Sequence, residues 1–333
     1  MAYEFLKDKT VLITGGTGSF GQHCTKMLLK NSEAKKVIVF SRCELKQSQM
    51  QTDLADYCES DRLRFFIGDV RDLERLRRAF NKVDYVIHAA ALKQVPALEY
   101  NPFEAIKTNI LGTKNVIDAA IDEGVEKVML LSTDKAANPA NLYGATKLCA
   151  ERLMISGNAY SGGKTKLSAV RYGNVFGSRG SLIQIIKQQR ETGKINLTHE
   201  EMTRFWISLE EGVNFVLMGL EKMEGGEIFI PKIPSMKILD MIKILAPNCT
   251  IKNVGIRPGE KLHEILVTSE ESRHTREFAN HYIIIPRQEW WSPEKNMGGE
   301  TLPENFIFSS DKNELQLNKE TLEKILNDFS LLS

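Results

Sequence analysis

Short apolar segments alternate with more polar segments along the first half of the chain. The apolar segments lie at residues 10–14, 36–40, 63–68, 84–89, 128–131 and 167–171. Runs of this kind, bounded by polar residues, are typical of strands buried on both faces of a parallel sheet. The segments between them are predicted to be helices, including one long helix that follows Pro102 and ends near Gly124. The alternation predicts an α/β fold with a doubly wound parallel sheet of the Rossmann type.

This alternation breaks down near Asn174, which predicts a second, smaller part of the molecule. We expect residues 1–173 to form a nucleotide-binding Rossmann domain. Residues 174–333 then form a smaller α/β lobe for the substrate, with strands and helices that cross back to the first domain. In this lobe the pattern predicts a helix at 208–222, a strand at 227–230 and a closing helix at 319–329, after a polar stretch at 290–304.

A glycine-rich segment follows the first predicted strand. It reads TGGTGSFG at residues 14–21, with glycines at 15, 18 and 21, and the helix after it is predicted to reach Lys30. Glycines between a strand and a helix let backbone N–H groups approach a pyrophosphate at the positive end of the helix. The segment therefore predicts a dinucleotide site.

The tip of the second strand indicates which dinucleotide binds. A carboxylate there would bind the ribose hydroxyls and repel a 2′-phosphate, but this chain has Ser41 and Arg42. Because a guanidinium pairs well with a phosphate, the tip favours NADP. Glu44 is close by, and an ordinary exposed arginine at position 42 is the alternative.

The next two strand tips add further candidates for the cofactor site. Asp69 and Val70 follow the third strand, where they would meet the adenine, and small residues at 89–91 follow the fourth. Small residues allow the backbone to lie against a cofactor ring. Lys93 is a candidate ligand for cofactor or substrate. His88, inside an apolar strand, is predicted to be a core histidine rather than a catalyst.

The segment 132–147 carries the candidate chemistry. Pro139 prevents a helix through its middle, so residues 132–142 are predicted to form a loop at the carboxyl end of a strand, where open α/β sheets place their active sites. From Tyr143 the pattern becomes helical, and Lys147 lies one turn further along the same face.

A tyrosine and a lysine at this spacing form a proton-transfer pair. The ammonium favours the phenolate and would lower a tyrosine pKa that starts at about 10. Asp134 and Lys135 add a second acid and a second base. A lysine base must be neutral, and an ionised Asp134 would oppose this unless its own pKa were raised. The same spacing also occurs on solvated helices, but the strand, the loop and the glycine fingerprint together favour catalysis.

Three arginines lie in predicted loops beside glycine, proline or aromatic residues: Arg179, Arg204 and Arg257. Together they would clamp a diphosphate, since guanidinium groups pair with phosphate oxygens in a bidentate manner. Ordinary surface arginines are the alternative interpretation of each.

Composition narrows the function classes. The net charge is +1 with 26% charged residues, which does not favour nucleic acid or an acidic membrane surface. The five cysteines form no CxxC pair, which is typical of reduced thiols. No apolar run is long enough to cross a membrane, and the first residues lack a signal-peptide pattern. We therefore expect a cytoplasmic protein with no nucleic-acid or membrane partner and no metal site.

Six motifs in order carry a resemblance that covers almost the whole chain: TGGTGSFG (14–21), STDK (132–135), YGATK (143–147), RYGNVFGSRGS (171–181), MTRFW (202–206) and RPGEKLHE (257–264). The chain resembles the extended short-chain dehydrogenase/reductase superfamily and, within it, the soluble C5-inverting nucleotide-sugar 4,6-dehydratases. The resemblance implies bound NADP, UDP-N-acetylglucosamine as substrate and a homo-oligomer, a dimer or hexamer, built through the long helices. It also implies the first step of pseudaminic acid biosynthesis, which serves the glycosylation of surface structures such as flagellin.

The same resemblance implies roles for individual residues. Those that would hold NADP are Gly15, Thr17, Gly18, Ser19, Phe20, Gly21, Ser41, Arg42, Glu44, Leu45, Lys46, Asp69, Val70, Ala89, Lys93, Thr108, Tyr143, Lys147 and Val175. Those that would hold the UDP-sugar are Lys93, Asn174, Arg179, Thr198, Arg204, Arg257 and Glu260. The catalytic residues would be Thr133, Asp134, Lys135, Tyr143 and Lys147. The chain departs from the family at Gln94, often a histidine there, and in an insertion at 53–59.

In the implied reaction, Tyr143 takes the C4 hydroxyl proton, Lys135 removes the C5 proton and Asp134 protonates the departing C6 hydroxyl. The C5-retaining relatives carry methionine where Tyr143 stands and have an amino-terminal membrane region. A 4-epimerase on the same scaffold needs Tyr143 and Lys147 but neither Asp134 nor Lys135. A non-catalytic NADP sensor would be free to lose Tyr143. These alternatives stay open beside the inverting dehydratase.

Overall fold

The structure is a computed structural model and describes residues 3–178, 180–286 and 298–328. The first half of the chain alternates strands with helices: β1 Thr10–Thr14, α1 Ser19–Asn31, β2 Lys36–Ser41, α2 Glu44–Asp53, α3 Ala55–Glu59, β3 Leu63–Ile67, α4 Leu73–Phe80, β4 Tyr85–His88, α5 Val95–Tyr100, α6 Pro102–Ala105, α7 Gly112–Asp122, β5 Lys127–Leu131, α8 Leu142–Gly157 and β6 Lys166–Val170. A 3₁₀ turn at Glu4–Leu6 precedes β1, and another at Asp134–Ala136 lies between β5 and α8.

The second half is less regular. Its elements are β7 Asn174–Val175, α9 Leu182–Arg190, β8 Lys194–Leu197, β9 Thr203–Ile207, α10 Leu209–Lys222, β10 Ile228–Pro231, β11 Ser235–Lys237, α11 Ile238–Leu245, β12 Thr250–Asn253, β13 Ile265–Val267, α12 Ser269–Ser272, β14 Thr275–Glu277, β15 His281–Ile284, β16 Glu300–Thr301, β17 Phe308–Ser309 and α13 Lys319–Asp328.

The central sheet confirms the predicted doubly wound α/β architecture. Its order is β16-β14-β15-β10-β6-β5-β4-β1-β2-β3, and the strands from β10 to β3 run parallel. Every residue of β1 is buried, because helices cover both faces of the sheet. The chain reverses its direction of travel between β1 and β4, which creates the crevice where such sheets bind ligands.

The second half contributes to two different cores. β10 pairs with β6 and thereby extends the parallel sheet, while β15, β14 and β16 continue it in antiparallel fashion. A separate apolar cluster is built around Trp206, which stacks on Phe176 at a ring distance of 4.9 Å, and it includes residues from α11 and α13. Residues after 174 therefore cross back into the main sheet and also form a smaller lobe, and the boundary at residue 173 stays a prediction.

The predicted elements differ from the structure in local details. The long helix after Pro102 is interrupted by a π-helical turn, Ile106–Leu111, which joins α6 to α7. The insertion at 53–59 contains the whole of the short helix α3 and the last residue of α2. The strand predicted at 84–89 is shorter, Tyr85–His88, and the Asp84 carboxylate just before it accepts a hydrogen bond from the Thr10 N–H at 2.7 Å.

Residues 290–297 of the predicted polar tail lie outside the described residues, as does Phe329, the predicted end of the closing helix. Within the described ranges, no helix combines the length and the apolar character needed to cross a membrane. All five cysteines are free thiols, as the sequence predicts.

Candidate active site

One large cavity lies at the carboxyl ends of the parallel strands, with a volume of about 590 Å³. The residues predicted to bind the cofactor line it with two exceptions, and the lining includes Gly15, Thr17, Gly18, Ser19, Phe20, Gly21, Ser41, Arg42, Lys46, Asp69, Val70, Ala89, Lys93, Thr108, Tyr143, Lys147 and Val175. The exceptions, Glu44 and Leu45, lie exposed on the first turn of α2. The binding roles of all these residues stay predictions.

The glycine loop approaches its neighbours too closely for any side chain. Gly15 has φ +66°, and a Cβ there would lie 2.9 Å from the Ala90 Cα. A Cβ on Gly21 would lie 2.5 Å from the Gly16 Cα. No side chain caps the start of α1 at Gly18, so its first backbone N–H groups are available to a phosphate. This cradle fits a dinucleotide pyrophosphate.

Charged groups at the tips of β2 and β3 fit a phosphorylated ribose. Arg42 is half-exposed and its Nη1 lies 3.7 Å from Asp69 Oδ2. Arg71 binds the same Asp69 oxygen at 2.8 Å. Burial raises the pKa of Asp69, but hydrogen bonds from Arg71 outweigh this effect and the pKa is lowered overall. Asp69 is therefore a carboxylate already paired with Arg71, which leaves Arg42 able to turn toward an anion.

His88 is a fully satisfied core residue, as the sequence predicts. Thr113 Oγ1 donates to the Asn109 carbonyl at 2.7 Å, so its contact of 3.1 Å with His88 Nε2 requires the imidazole to donate. The His88 Nδ1 atom then accepts from Thr14 Oγ1 at 2.7 Å. Burial, with a smaller contribution from the Lys147 charge, lowers the pKa of His88 to about 3. The ring is neutral and ties β1 and β4 to the first turn of α7.

Asp134 and Lys135 form an ion pair beside the cavity. Asp134 is completely buried, and its Oδ1 accepts from Thr133 Oγ1 at 2.8 Å and from Lys135 Nζ at 3.0 Å. Lys135 Nζ also donates to Asn174 Oδ1 at 3.3 Å, which brings a predicted substrate ligand into the same cluster. Asp134 Oδ2 is buried and makes no hydrogen bond. The structure thus brings Thr133, Asp134, Lys135 and Asn174 together.

The electrostatics of this pair settle the protonation of Lys135 in the resting protein. Burial alone would lower the pKa of Lys135, but the charges of Asp134 and Glu264 outweigh it and raise the pKa above its ordinary value. Lys135 is therefore an ammonium at neutral pH. It can act as a base only after it has given a proton to a neighbour.

The pKa of Tyr143 is shifted in the direction opposite to the one predicted from the sequence. Burial raises the pKa of Tyr143 to about 12, against an opposing effect of the Lys135 charge. Lys147 is buried too, and burial lowers the pKa of its ammonium to about 8 although Glu151 acts in the opposite direction. The expected lowering of the Tyr143 pKa by Lys147 is thus wrong for this structure, because desolvation of the phenolate dominates.

The residues predicted to bind the UDP-sugar separate into two groups. Lys93 and Asn174 line the cavity. The lining does not include Thr198, Arg204, Arg257 or Glu260, and Arg179 lies outside the described residues.

Arg204, one of the predicted substrate ligands that do not line the cavity, has a structural role here. Its guanidinium is buried and donates to the carbonyls of Thr203 at 2.7 Å and Lys261 at 3.0 Å. It lies 3.7 Å from Glu260, so these contacts hold the 257–264 loop beside β9. Roles for Arg204 and Glu260 in substrate binding stay predictions.

Three buried polar groups lie at the site; Thr108 is predicted from the sequence as a cofactor ligand, whereas sequence reasoning missed Ser132 and Glu264. Ser132 Oγ and Thr108 Oγ1 are buried hydroxyls without a hydrogen-bond partner, and both residues line the cavity. Buried polar atoms are normally satisfied, so these two are available to a ligand. Glu264 is also buried, with its Oε1 at 3.4 Å from Lys135 Nζ. Glu264 is the last residue of the RPGEKLHE motif, but nothing in that motif distinguishes it from the other glutamate, Glu260.

A doubly wound sheet with a glycine cradle, a partly buried tyrosine and a buried lysine at one cavity defines an enzyme of the extended short-chain dehydrogenase/reductase type. The sequence model of a family described as "Polysaccharide biosynthesis protein" matches residues 11–286 of this chain. The chain belongs to this family.

Two relatives and one solved structure are similar to this chain over most of its length. A UDP-N-acetylglucosamine 4,6-dehydratase (inverting) of Campylobacter jejuni is 51% identical over 329 residues, which cover 96% of this chain and 97% of the relative. A UDP-glucose 4-epimerase of Rickettsia rickettsii is 44% identical over 286 residues, 83% of each chain. The X-ray structure of Pen from Bacillus thuringiensis has a TM-score of 0.89 at 38% identity, and the match covers 98% of this chain and 100% of that one.

Proposed function

We propose that the protein is a UDP-N-acetylglucosamine 4,6-dehydratase that inverts the configuration at C5. One observation carries the proposal: the Asp134–Lys135 pair, in hydrogen-bond contact at 3.0 Å, sits at the cavity that Tyr143 also lines. An oxidation at C4 needs one acid–base group, whereas elimination of water across C5 and C6 needs a further base and a further acid. The chain has both sets, and its Campylobacter relative bears this name.

NADP is the proposed cofactor. The glycine cradle at residues 15–21 would hold the pyrophosphate, and the half-exposed Arg42 would pair with the 2′-phosphate. The unpartnered hydroxyls of Thr108 and Ser132 would reach the cofactor from the cavity wall. When bound, the nicotinamide accepts a hydride from C4 and returns it to C6, so the reaction has no net redox change.

Tyr143 is the proposed acceptor of the C4 hydroxyl proton. It must first become a phenolate, and positive charge beside a phenol lowers its pKa. The Lys135 ammonium already acts on Tyr143 in this direction. Lys147, one turn along α8, would orient the ribose and carry the proton between Tyr143 and solvent; its pKa of about 8 lets it do so near neutral pH.

Asp134 and Lys135 would perform the elimination. The 3.0 Å contact lets one ammonium proton move from Lys135 Nζ to Asp134 Oδ1, which yields a neutral amine and a carboxylic acid. The amine then takes the C5 proton, and the acid gives its proton to the C6 hydroxyl as the C–O bond breaks and water leaves. The pair returns to ammonium and carboxylate with no proton drawn from solvent.

The remaining parts of the proposal concern the cellular setting and assembly. We propose that residues 174–333 supply most of the sugar-binding surface, that the protein acts in the cytoplasm as a homo-oligomer, and that its product enters pseudaminic acid biosynthesis. The Campylobacter relative supports the substrate.

A UDP-sugar 4-epimerase is the second candidate, because relatives with the name UDP-glucose 4-epimerase are 44% identical to this chain. Epimerisation returns the hydride to C4 and leaves the mass of the substrate unchanged. Dehydration lowers it by one water. Mass spectrometry of UDP-N-acetylglucosamine after incubation with the protein as purified should show loss of one water, and a product of unchanged mass would favour the epimerase.

A further inference from the structure

Glu264 is a buried carboxylate that no step of the proposed reaction uses. It directly precedes β13, and only 2% of the residue is exposed. Its backbone N–H donates to Ser310 Oγ at 2.9 Å, and its carbonyl accepts from the Ser310 N–H at 2.9 Å. The segment after β17 therefore fixes where this carboxylate lies.

The carboxylate lies near three cations but forms a short hydrogen bond with none of them. Its Oε1 lies 3.4 Å from Lys135 Nζ and 3.7 Å from Arg204 Nε, and its Oε2 lies 3.6 Å from Lys261 Nζ. Charge-assisted hydrogen bonds normally close to 2.7–2.9 Å. Oε2 is buried and makes no hydrogen bond. Glu264 therefore acts on its neighbours through its charge more than through tight pairing.

Charged and titratable groups face Lys135 from several elements: Asp134 on its own turn, Glu264 before β13, Lys261 in the 257–264 loop, Arg204 on β9, Lys93 after β4 and Tyr143 on α8. Two of these are carboxylates and three are cations. Burial and the cations favour the neutral amine, whereas the carboxylates favour the ammonium. Without Glu264, Asp134 would be the single carboxylate among these groups to oppose burial and the three cations Arg204, Lys93 and Lys261.

We infer that Glu264 is a positioning residue whose charge keeps one transferable proton on the Asp134–Lys135 pair at neutral pH. The inference rests on the proposed dehydration, in which the pair must hold a single proton shared between amine and carboxylate. A second proton would leave Lys135 an ammonium beside a carboxylic acid, and the base would be lost. Loss of the proton would leave an amine beside a carboxylate, and the acid would be lost.

The pH profile of dehydration tests this role. If only the singly protonated pair is active, the rate of dehydration should be a bell-shaped function of pH. Its two limbs then report the gain and the loss of a proton by the pair as a unit. Glu264→Gln keeps the size of the side chain and removes its negative charge, so both limbs should move to lower pH by about one to three units. Glu264→Asp keeps the charge and should keep the limbs at their wild-type positions. Glu300→Gln, which removes an exposed carboxylate from β16, should not move them.

A reciprocal variant keeps the test decisive if Glu264→Gln does not fold. Lys261→Gln removes a cation that faces Glu264 and also acts on Asp134 and Lys135, so both limbs should move to higher pH. Limbs that stay in place in either folded variant, while the wild type dehydrates the substrate, would overturn the role of Glu264. A wild-type protein that forms no dehydrated product would instead overturn the proposed function, so the two failures are distinguishable.

Discussion

Lys135 Nζ lies 3.0 Å from Oδ1 of Asp134, a carboxylate that is completely buried. The attraction within a buried ion pair offsets the cost of taking both charges out of water, so removal of one partner leaves an uncompensated buried charge. The same closeness lets the proton of the pair move between base and acid. The two residues are therefore best tested by substitutions that separate charge from acid–base function.

Lys135→Arg should retain oxidation at C4 but stop elimination. Arginine keeps the positive charge beside Asp134, yet it cannot be deprotonated in a protein and so cannot take the C5 proton. Reduced nicotinamide should accumulate on the enzyme after substrate is added, which absorbance would follow. Lys135→Ala should also lose dehydration and should unfold at a lower temperature than Lys135→Arg, because it strands a buried carboxylate. Full dehydratase activity in either variant would remove Lys135 from the mechanism, and Lys93 would be the next candidate.

Lys147→Met should stabilise the protein while it abolishes catalysis. The pKa of Lys147 falls from 10.5 to about 8 in the folded state, so folding is penalised wherever both states are protonated. This shift corresponds to about 3 kcal/mol at most below pH 8. Because the unfolded chain binds the extra proton between pH 8 and 10.5, the wild type should gain stability through that window. The advantage of the variant, measured by denaturant unfolding, should therefore shrink as pH rises. An advantage that grows with pH would contradict the sign.

Arg42→Asp should exchange the cofactor preference from NADP to NAD. Arg42 lines the cavity with a half-exposed guanidinium, and an aspartate there would bind ribose hydroxyls and repel a 2′-phosphate. The dissociation constants of both cofactors, measured by titration calorimetry, should cross over between wild type and variant. Arg64→Asp, at an exposed arginine of β3, is the control and should leave the ratio unchanged. If denatured wild-type protein released only NAD, the interpretation of the β2 tip would be wrong.

Gly15→Ala should destabilise the fold and weaken cofactor binding more than Gly124→Ala. Both glycines have positive φ, +66° and +72°, so both substitutions carry a similar backbone strain of about 1–2 kcal/mol. At Gly15 the new methyl group would also lie 2.9 Å from the Ala90 backbone, whereas at Gly124 nothing lies within 4 Å. The difference in melting temperature isolates this steric term. Equal losses in the two variants would show that the cradle tolerates a side chain.

The sequence predicts secondary structure well where neighbouring residues alone determine it. β1 spans the predicted residues, and α1 ends within one residue of the predicted Lys30, because a buried strand and a glycine turn are specified by adjacent residues. The His88 environment was also predictable, since a histidine inside an apolar strand needs internal partners.

The rest depends on contacts between distant segments. Glu264 reaches Lys135 only because β9, the 257–264 loop and the residue Ser310 meet, and no spacing in the chain indicates that meeting. The pKa of Tyr143 was expected to fall, but it rises because burial outweighs the neighbouring charge, and the depth of burial is a property of the fold. The π-helical turn at 106–111 likewise has no signal in the apolar pattern.

The central claim is that the Asp134–Lys135 pair eliminates water across C5 and C6 with inversion at C5. It is tested most directly by incubation of UDP-N-acetylglucosamine with the purified protein in D₂O, followed by NMR of the first product. Inversion requires the new C5 proton to arrive on the face opposite Lys135, from a donor that exchanges with water, so this proton should be deuterium, and the hydride from C4 should appear in a new C6 methyl group. We expect a 6-deoxy-4-keto sugar with deuterium at C5 and the L-arabino configuration. A first product with the D-xylo configuration would contradict inversion, and a product that keeps its C6 oxygen and carries no solvent deuterium would contradict dehydration altogether.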